Sequence, residues 1–302
     1  MTSTNKQGAR DFFLDVLKGL GIGVAFIIPG FSGGSVAAIL GIYEKLVGAV
    51  ADIAKNFKKS ILTLLPIGIG MVAGILALLF PLSISLAAYP FPTVSLFVGL
   101  AIGGLPSITD KLSGKKRLFH LPAFLIPFIS ALALSFLPIS SDVNLFNLDF
   151  GGYVILFVIG IIGASALVIP GISGSMLLLI FGYYNPIVDL AANHLLKGKD
   201  IAISFAVLGC TVLGIVFGFF LISVLMKLLL TKYPKGTYFA ILGFILGSVP
   251  TIFISTAKEA GYTISTLPKS PVYWIVSALM LALGLFISLL LVYLSKKGKN
   301  KE

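Results

Sequence analysis

The sequence predicts an all-α integral membrane protein built from two inverted-topology repeats. Each repeat is expected to contain one re-entrant (broken) helical hairpin and three transmembrane helices. Composition gives the class, because 58% of the 302 residues are hydrophobic and only 11% are charged, which is more apolar surface than a soluble core can hide. Stretches such as MVAGILALLF are apolar on every face, whereas the strands of a membrane barrel would alternate apolar and polar residues.

Eight apolar segments follow one another along the chain. They lie at roughly 12–50, 61–80, 93–108, 121–138, 152–190, 201–230, 238–255 and 272–294. The first and fifth segments are interrupted, at Pro29-Gly30 and at Pro170-Gly171. A full crossing takes about 20 residues, and the arms beside each break have only about 10 to 18. This length favours re-entrant hairpins over hairpins whose arms cross fully.

The second four segments repeat the pattern of the first four. Residues around the first break recur 141 positions later, and residues of the third segment recur 144 positions later. The recurring pairs are Pro29 and Pro170, Gly30 and Gly171, Ser32 and Ser173, Gly33 and Gly174, Gly41 and Gly182, Tyr43 and Tyr184, Gly99 and Gly243, Gly103 and Gly247, and Pro106 and Pro250. An internal duplication is indicated, with repeats at 1–145 and 146–302 in a single transmembrane domain. The Gly-xxx-Gly spacings in the third and seventh segments predict close helix contacts.

Lysine and arginine orient the repeats. The loops at 51–60 and 109–120 contain three and four of these residues, whereas the loops at 81–92 and 139–151 contain none. The positive-inside rule then places both termini in the cytoplasm. Each repeat has an odd net number of membrane crossings, because the hairpin returns to the side from which it entered and three crossings follow it. The second copy is therefore expected to be inverted. The net charge of +11 therefore reflects topology and, secondarily, attraction to anionic membrane lipids; it does not indicate nucleic-acid binding.

Two signature segments, IIPGFSGGS at 27–35 and VIPGISGSM at 168–176, place helix breakers inside apolar runs. Unpaired backbone amides cost several kcal/mol each in hydrocarbon, so such turns must be packed in protein or line a wet cavity. The helix that begins after each turn exposes N–H groups and a partial positive charge, which bind anions. The predicted anion site comprises Pro29, Gly30, Ser32, Gly33, Gly34, Ser35, Pro170, Gly171, Ser173, Gly174 and Ser175. The alternative is two sharp, glycine-packed turns without a ligand.

Three further residues are accessory candidates. Tyr43 and Tyr184 can either hydrogen-bond a ligand or anchor the membrane interface. Glu44 can act in proton coupling or face water in an interfacial pair, and its counterpart in the second copy is Asn185. The two histidines lie at segment edges, and the chain has no third histidine, so we expect no metal, no cofactor and no catalytic residue.

The stretches GIGVAFIIPGFSGGSVAAILGIYEKLV and ASALVIPGISGSMLLLIFGYYNPIV resemble the paired signature of the polyprenyl-phosphate transporters called PopT. The resemblance covers about residues 15 to 295, and the family's motif falls on the eleven residues of the predicted anion site. It implies a flippase in a prokaryotic cytoplasmic membrane that returns undecaprenyl phosphate, the lipid carrier of cell-wall precursors, from the outer to the inner leaflet. Many relatives have Asp or Asn where this chain has Phe26, and Thr where it has Ser35. The apolar Phe26 weakens the case for a proton or ion relay beside the turn.

Two other classes of protein use similar parts. An anion channel or exchanger also coordinates its ion with broken helix ends, and a membrane lipid-phosphate phosphatase also binds a lipid phosphate. The scarcity of histidine and arginine in the apolar segments argues against the phosphatase. A homo-oligomer is compatible with the sequence. The first twenty residues lack an apolar core followed by a small-residue cleavage site, so we expect no removable signal peptide.

Overall fold

The structure is a computed structural model. It describes residues 2–25, 32–112, 120–134, 136–137, 140, 142–170, 174–195, 197–198, 200–263 and 265–299. Within these ranges the chain is all-helical and contains no β-strand, as the composition predicts. This agrees with the predicted all-α class.

The part of the chain that the structure describes contains thirteen α-helices, seven of them in the first half. These seven are α1 (Thr2–Ala25), α2 (Gly33–Ile39), α3 (Tyr43–Ala51), α4 (Phe57–Ala88), α5 (Pro90–Gly104), α6 (Pro106–Thr109) and α7 (Leu121–Leu134), with a 3-10 turn at Asp110–Leu112 after α6. The second half contains six. They are α8 (Phe150–Val168), α9 (Gly174–Ile180), α10 (Tyr184–Asp189), α11 (Ile201–Lys232), α12 (Pro234–Glu259) and α13 (Pro271–Lys299), with a π-helical turn at Leu190–Leu195 after α10.

Five helical segments in the described part of the chain are long and apolar enough to cross a membrane, or six if the bent pair of α2 and α3 counts as one span. The five are Phe57–Leu78, Pro90–Leu112, Ile201–Lys232, Pro234–Lys258 and Pro271–Leu290. Six full spans were predicted; the sixth, in α7, has only 14 described residues, or about 21 Å of helix. Large apolar side chains such as Leu76 and Phe286 are exposed on the outer helices, as lipid-facing residues are. The chain is a multi-pass membrane protein.

The long helices pack in four close pairs. Helix α1 packs against α4, and at equivalent positions of the second half α8 packs against α11. A Cβ atom added at Gly70 would overlap the carbonyl oxygen of Val16, and one added at Gly214 would overlap that of Phe157. Val16 and Phe157 are 141 residues apart, and Gly70 and Gly214 are 144 apart, so the same contact recurs at the offsets of the duplication.

The other two pairs cross between the halves. Helix α5 packs against α13, and α12 packs against α7. A Cβ at Gly99 would overlap the carbonyl oxygen of Leu281, and one at Gly243 would overlap that of Phe124. The glycines four residues further on, at 103 and 247, make the same kind of contact with the same partner helices. The close helix contacts predicted from the Gly-xxx-Gly spacings are therefore confirmed.

Two helix boundaries differ from those suggested by the hydropathy pattern. Helix α4 continues through Pro66 and Pro81 and ends only at Ala88, so most of the expected loop at 81–92 is helical. In a packed membrane helix, neighbouring groups can satisfy the backbone that a proline frees. The second difference is a sharp bend after α2: α2 and α3 are inclined by 120°, and Gly41, the middle one of the three residues between them, has a φ of +68°. Such a φ favours glycine, and Gly182 repeats it after α9 with a φ of +76°.

The predicted hairpin arms are therefore unequal. The arms before the two breaks, α1 and α8, have 24 and 19 residues, which is longer than the expected 10 to 18. The arms after the breaks are split into short helices, and α2 and α9 have seven residues each. The glycine turn that divides each second arm was not anticipated, because the apolar run continues on both sides of it.

Candidate functional site

The predicted anion site is only partly described. Ser32, Gly33, Gly34, Ser35, Pro170 and Gly174 lie within the described residues. Pro29, Gly30, Gly171 and Ser173 lie outside them, as does Phe26. Ser175 belongs to α9, but its side chain is not described. The geometry of the site therefore begins from the first signature segment and from the end of α8.

Ser32 joins the two signature segments. It precedes α2 with an extended backbone (φ −104°, ψ 128°), and its side chain makes no capping hydrogen bond to that helix. Instead, its hydroxyl donates to the carbonyl oxygen of Ile169 at 3.3 Å, 137 residues away in the sequence. Ile169 immediately precedes Pro170, so described residues of the two signature segments are in contact at this point.

Tyr43 makes a second link to the same place. Its hydroxyl is buried and donates to the carbonyl oxygen of Val168 at 2.9 Å. Val168 is the last residue of α8, and the carbonyl groups at a helix end have no partner within the helix. Side chains of the first half therefore satisfy two adjacent carbonyl groups where α8 ends. Tyr184, the counterpart of Tyr43, is only partly buried and makes no corresponding hydrogen bond within the described residues.

Helix α2 is enclosed on several sides. Gly33, Gly34 and Ser35 are all buried. At the other end of the helix, the carbonyl oxygen of Ile39 accepts a hydrogen bond of 2.9 Å from the hydroxyl of Ser107. Contacts at both ends thus fix the position of this short helix between α8 and α6.

The hydroxyl of Ser35 is buried without a hydrogen-bond partner among the described residues. The residue is only 2% exposed, and a buried polar group costs free energy unless it is paired. Three other hydroxyls in the described part of the chain share this condition, those of Ser204, Ser223 and Thr256. Among these four residues, Ser35 alone belongs to a signature segment. It lies in the first turn of α2.

Glu44 belongs to a polar cluster with Lys111 and Tyr238. Its side chain is half exposed, pairs with Lys111 at 3.1 Å and accepts a hydrogen bond from the hydroxyl of Tyr238. The ammonium group of Lys111 also lies 5.5 Å from the centre of the Tyr238 ring. The cluster ties α3 to α12 and to the 3-10 turn after α6. No group of three or more histidine, cysteine or acidic residues in the described ranges is placed to hold a metal ion.

Comparison with known proteins identifies the family. The model of the VCA0040-like family, described as undecaprenyl phosphate translocase-like, matches residues 22–267. A protein of Staphylococcus aureus named polyprenyl-phosphate transporter is 30% identical over 285 residues, covering 92% of this chain and 95% of the relative. A protein of Vibrio cholerae with the same name is 26% identical over 252 residues, covering 78% of this chain and 76% of the relative.

No solved structure matches the chain. The family match includes both signature segments and every helix from the end of α1 to the end of α12. The relative from Staphylococcus aureus adds nearly full coverage of both chains. The chain therefore belongs to the VCA0040-like, undecaprenyl phosphate translocase-like family.

Proposed function

We propose that the chain is a flippase that returns undecaprenyl or another polyprenyl phosphate from the outer to the inner leaflet of a prokaryotic plasma membrane. The observation that carries the proposal is the near full-length similarity to a protein named polyprenyl-phosphate transporter. A lipid phosphate is an anion attached to a long apolar chain. Its carrier therefore needs polar groups inside the membrane together with a path open to lipid.

In this proposal the phosphate is held where the two signature segments meet. The contact between Ser32 and Ile169, which joins described residues of the two signature segments, supports this placement. The amides that follow each break supply donors, and glycine allows the ligand to approach the backbone closely. The unpaired hydroxyl of Ser35 is a further donor that gains its partner when the phosphate binds.

The proposed orientation has two inverted repeats, 1–145 and 146–302, with both termini in the cytoplasm. The equivalent helix pairs α1–α4 and α8–α11 support two units of the same construction. Inverted repeats around a site near the midplane are the usual architecture of carriers with broken helices. In this arrangement the re-entrant hairpins are α1 to α3 and α8 to α10.

A leaflet-resolved assay tests the function. The full-length protein is reconstituted into proteoliposomes with fluorescent polyprenyl phosphate, and the label left in the outer leaflet is measured over time. The flippase predicts movement of the lipid with its phosphate intact. Chloride conductance without lipid movement would favour an anion channel, and release of free phosphate would favour a phosphatase. Either of these results would contradict the proposal.

The site is tested most sharply at Ser35. Replacing Ser35 by alanine removes an unpaired buried hydroxyl, so the stability of the protein should stay the same or rise slightly. If the hydroxyl binds the phosphate, transport should fall roughly ten- to a hundredfold. Ser204→Ala is the matched control, because Ser204 is equally buried and unpaired but belongs to α11. Equal transport by the two variants would remove Ser35 from the site.

Two kinds of variant test the turns themselves. One kind adds a bulky side chain, and the other removes a hydrogen-bond donor. Gly33→Val and Gly174→Val should block the headgroup, and Ser32→Ala and Ser173→Ala should weaken it roughly tenfold or more. Lys199→Ala on the proposed outer loop should change transport little. Activity is normalised to the amount of folded protein in the membrane. Normal transport by all four signature variants, with failure of the lysine variant, would show that surface charge holds the cargo.

The orientation is tested by cysteine labelling. Single cysteines replace Asp142 and Lys115 in a background in which Cys210 is alanine. The proposal places Asp142 outside and Lys115 inside, so an impermeant reagent should label only the first in intact cells. Labelling of both positions from the same side would contradict the inverted arrangement.

A further inference from the structure

An open cavity of about 670 Å³ lies between α1, α3 and the beginning of α4. No described residue of the signature segments lines it. Its lining residues are Phe12, Asp15, Lys45, Asn56, Phe57, Lys58, Lys59, Leu62, Thr63 and Pro66. The volume is within the range of roughly 300–1,000 Å³ that small-molecule sites usually have.

The polar part of the cavity is basic. Lys45, Lys58 and Lys59 contribute three positive charges, and Asp15 contributes one negative charge. Lys45 pairs with Asp15, whose side chain is largely buried. Lys58 and Lys59 are exposed and form no salt bridge within the described part of the chain. Two ammonium groups are therefore available to an anion in this cavity.

The rest of the lining is apolar and exposed. Phe12, Phe57 and Leu62 are 46%, 67% and 62% exposed, so the cavity is bordered by side chains that face lipid or the interface. A basic recess beside an exposed apolar surface suits a ligand with an anionic head and an apolar tail. A free anion would contact only the basic recess, and an apolar lipid would contact only the exposed apolar surface.

The duplication supplies an internal comparison. At the corresponding positions of the second half, Leu156 replaces Asp15, Pro186 replaces Lys45, Ala202 replaces Lys58 and Ile203 replaces Lys59. The helices α8, α10 and α11 nevertheless form at those positions. The four charges are therefore not needed for these helices to form, and they occur in one copy only.

We propose that this cavity is a second lipid-phosphate site, which binds the phosphate headgroup of a membrane lipid at the end of the protein where α4 begins. Lys58 and Lys59 contact the phosphate, and the exposed aromatic rings contact the first part of the chain. Lys45 exchanges its contact with Asp15 for one with the ligand. Binding here does not depend on transport. A role in releasing transported lipid on the cytoplasmic side rests on the proposed function and orientation.

The test uses a photoreactive farnesyl phosphate, a short isoprenoid with the same headgroup, and maps the labelled peptides of the full-length protein in nanodiscs. Labelling of the segment 56–63 should fall about tenfold in Lys58→Ala/Lys59→Ala. Lys55→Ala/Lys232→Ala is the matched control, because it removes two basic residues that do not line the cavity and should label normally. Asp15→Asn should raise labelling severalfold, since it frees Lys45 from its partner.

Three results would overturn the inference. Equal labelling by photoreactive farnesol would show an apolar groove without phosphate recognition. Full competition by inorganic phosphate at the concentration at which farnesyl phosphate competes would show a site for free phosphate. Normal labelling of the double lysine variant would show that these residues only set topology. Loss of transport in the Ser35 variant with unchanged labelling at 56–63 would leave the inference intact, so the two sites can fail separately.

Discussion

The two short-helix pairs, α2 with α3 and α9 with α10, occupy equivalent positions in the two halves but are packed differently. Helix α3 buries four residues, Tyr43, Leu46, Val47 and Val50, whereas α10 buries none. Helix α3 packs against α11 of the other half, and α10 packs mainly against α9 and the π-helical turn that follows it. The first pair is thus tied to α11 of the other half, whereas the second pair packs within its own half, where Leu178 and Ile187 contact a core cluster that includes α8 and α11 residues.

Polar contacts explain this difference. Tyr238 and Lys227 bind Glu44 and Asp52 on α3 and at its end, which ties the first pair to α12 and α11. The positions equivalent to Tyr238 and Lys227 in the first half are Val94 and Ser83, which cannot make the same contacts with α10. The shared glycines therefore set the four helix pairs, while unshared polar residues decide how each short-helix pair is held.

The largest expected effect comes from disrupting the glycine contacts between paired helices, which the two halves share. Gly99→Val and Gly243→Val each force a side chain into the backbone of a partner helix, so each should lower the unfolding midpoint by about 5–10 °C or prevent accumulation. Gly68→Val and Gly209→Val are matched controls, because a Cβ at either position meets nothing within 4 Å. The readout is the thermal unfolding of purified protein. A severe effect at one glycine and none at its counterpart would show that the two crossing pairs are not equivalent.

Much of this shared framework could be predicted from the sequence. The recurring glycines and prolines indicate a duplication, and the Gly-xxx-Gly spacings predict the close contacts of α5 and α12. The extension of α4 past Pro81 could not be predicted, since a proline ends most helices and the surrounding packing decides the exceptions. The recurrence of Gly41 as Gly182 is a sequence signal for the bend. The sequence pattern nevertheless favours the Pro-Gly break as the turn of the hairpin.

The site was less predictable than the fold. The sequence singled out Ser32 and Tyr43, but it could not indicate that both donate to the end of α8, because these contacts join residues 137 and 125 positions apart. From the sequence, Lys58 and Lys59 indicate topology and, secondarily, attraction to anionic lipids, but not a defined site. Their place in a common cavity with Lys45 depends on how α1, α3 and α4 pack together.

The next prediction compares the two short-helix pairs at Tyr43 of α3 and Tyr184 of α10. Tyr43→Phe leaves the carbonyl group of Val168 without its buried partner, which should destabilise the protein by about 1–3 kcal/mol and lower its unfolding midpoint by a few degrees. Tyr184→Phe should have little effect, because no hydrogen bond of Tyr184 is seen within the described residues. Both are measured by thermal unfolding. Equal losses would mean that the second pair is held as firmly as the first.

The smallest effect concerns the exposed contact between Asp52 and Lys227, one of the ties found only in the first half. The hydrogen bond from the Lys227 ammonium lowers the pKa of the Asp52 carboxyl below its ordinary value of 3.8. A lowered pKa in the folded protein means that the charged carboxylate stabilises the fold above pH 3.8 and that this contribution disappears as the pH falls through the lowered value. Asp52→Asn should therefore be slightly less stable than the natural chain at pH 7 and equally stable once the pH is below the lowered pKa of Asp52, where the residue at position 52 is neutral in both proteins. Unfolding midpoints measured across this pH range check the sign. A difference that persisted unchanged at the acid end would show that Asp52 acts through its shape and hydrogen bonding, and the tie between α3 and α11 would then not be electrostatic.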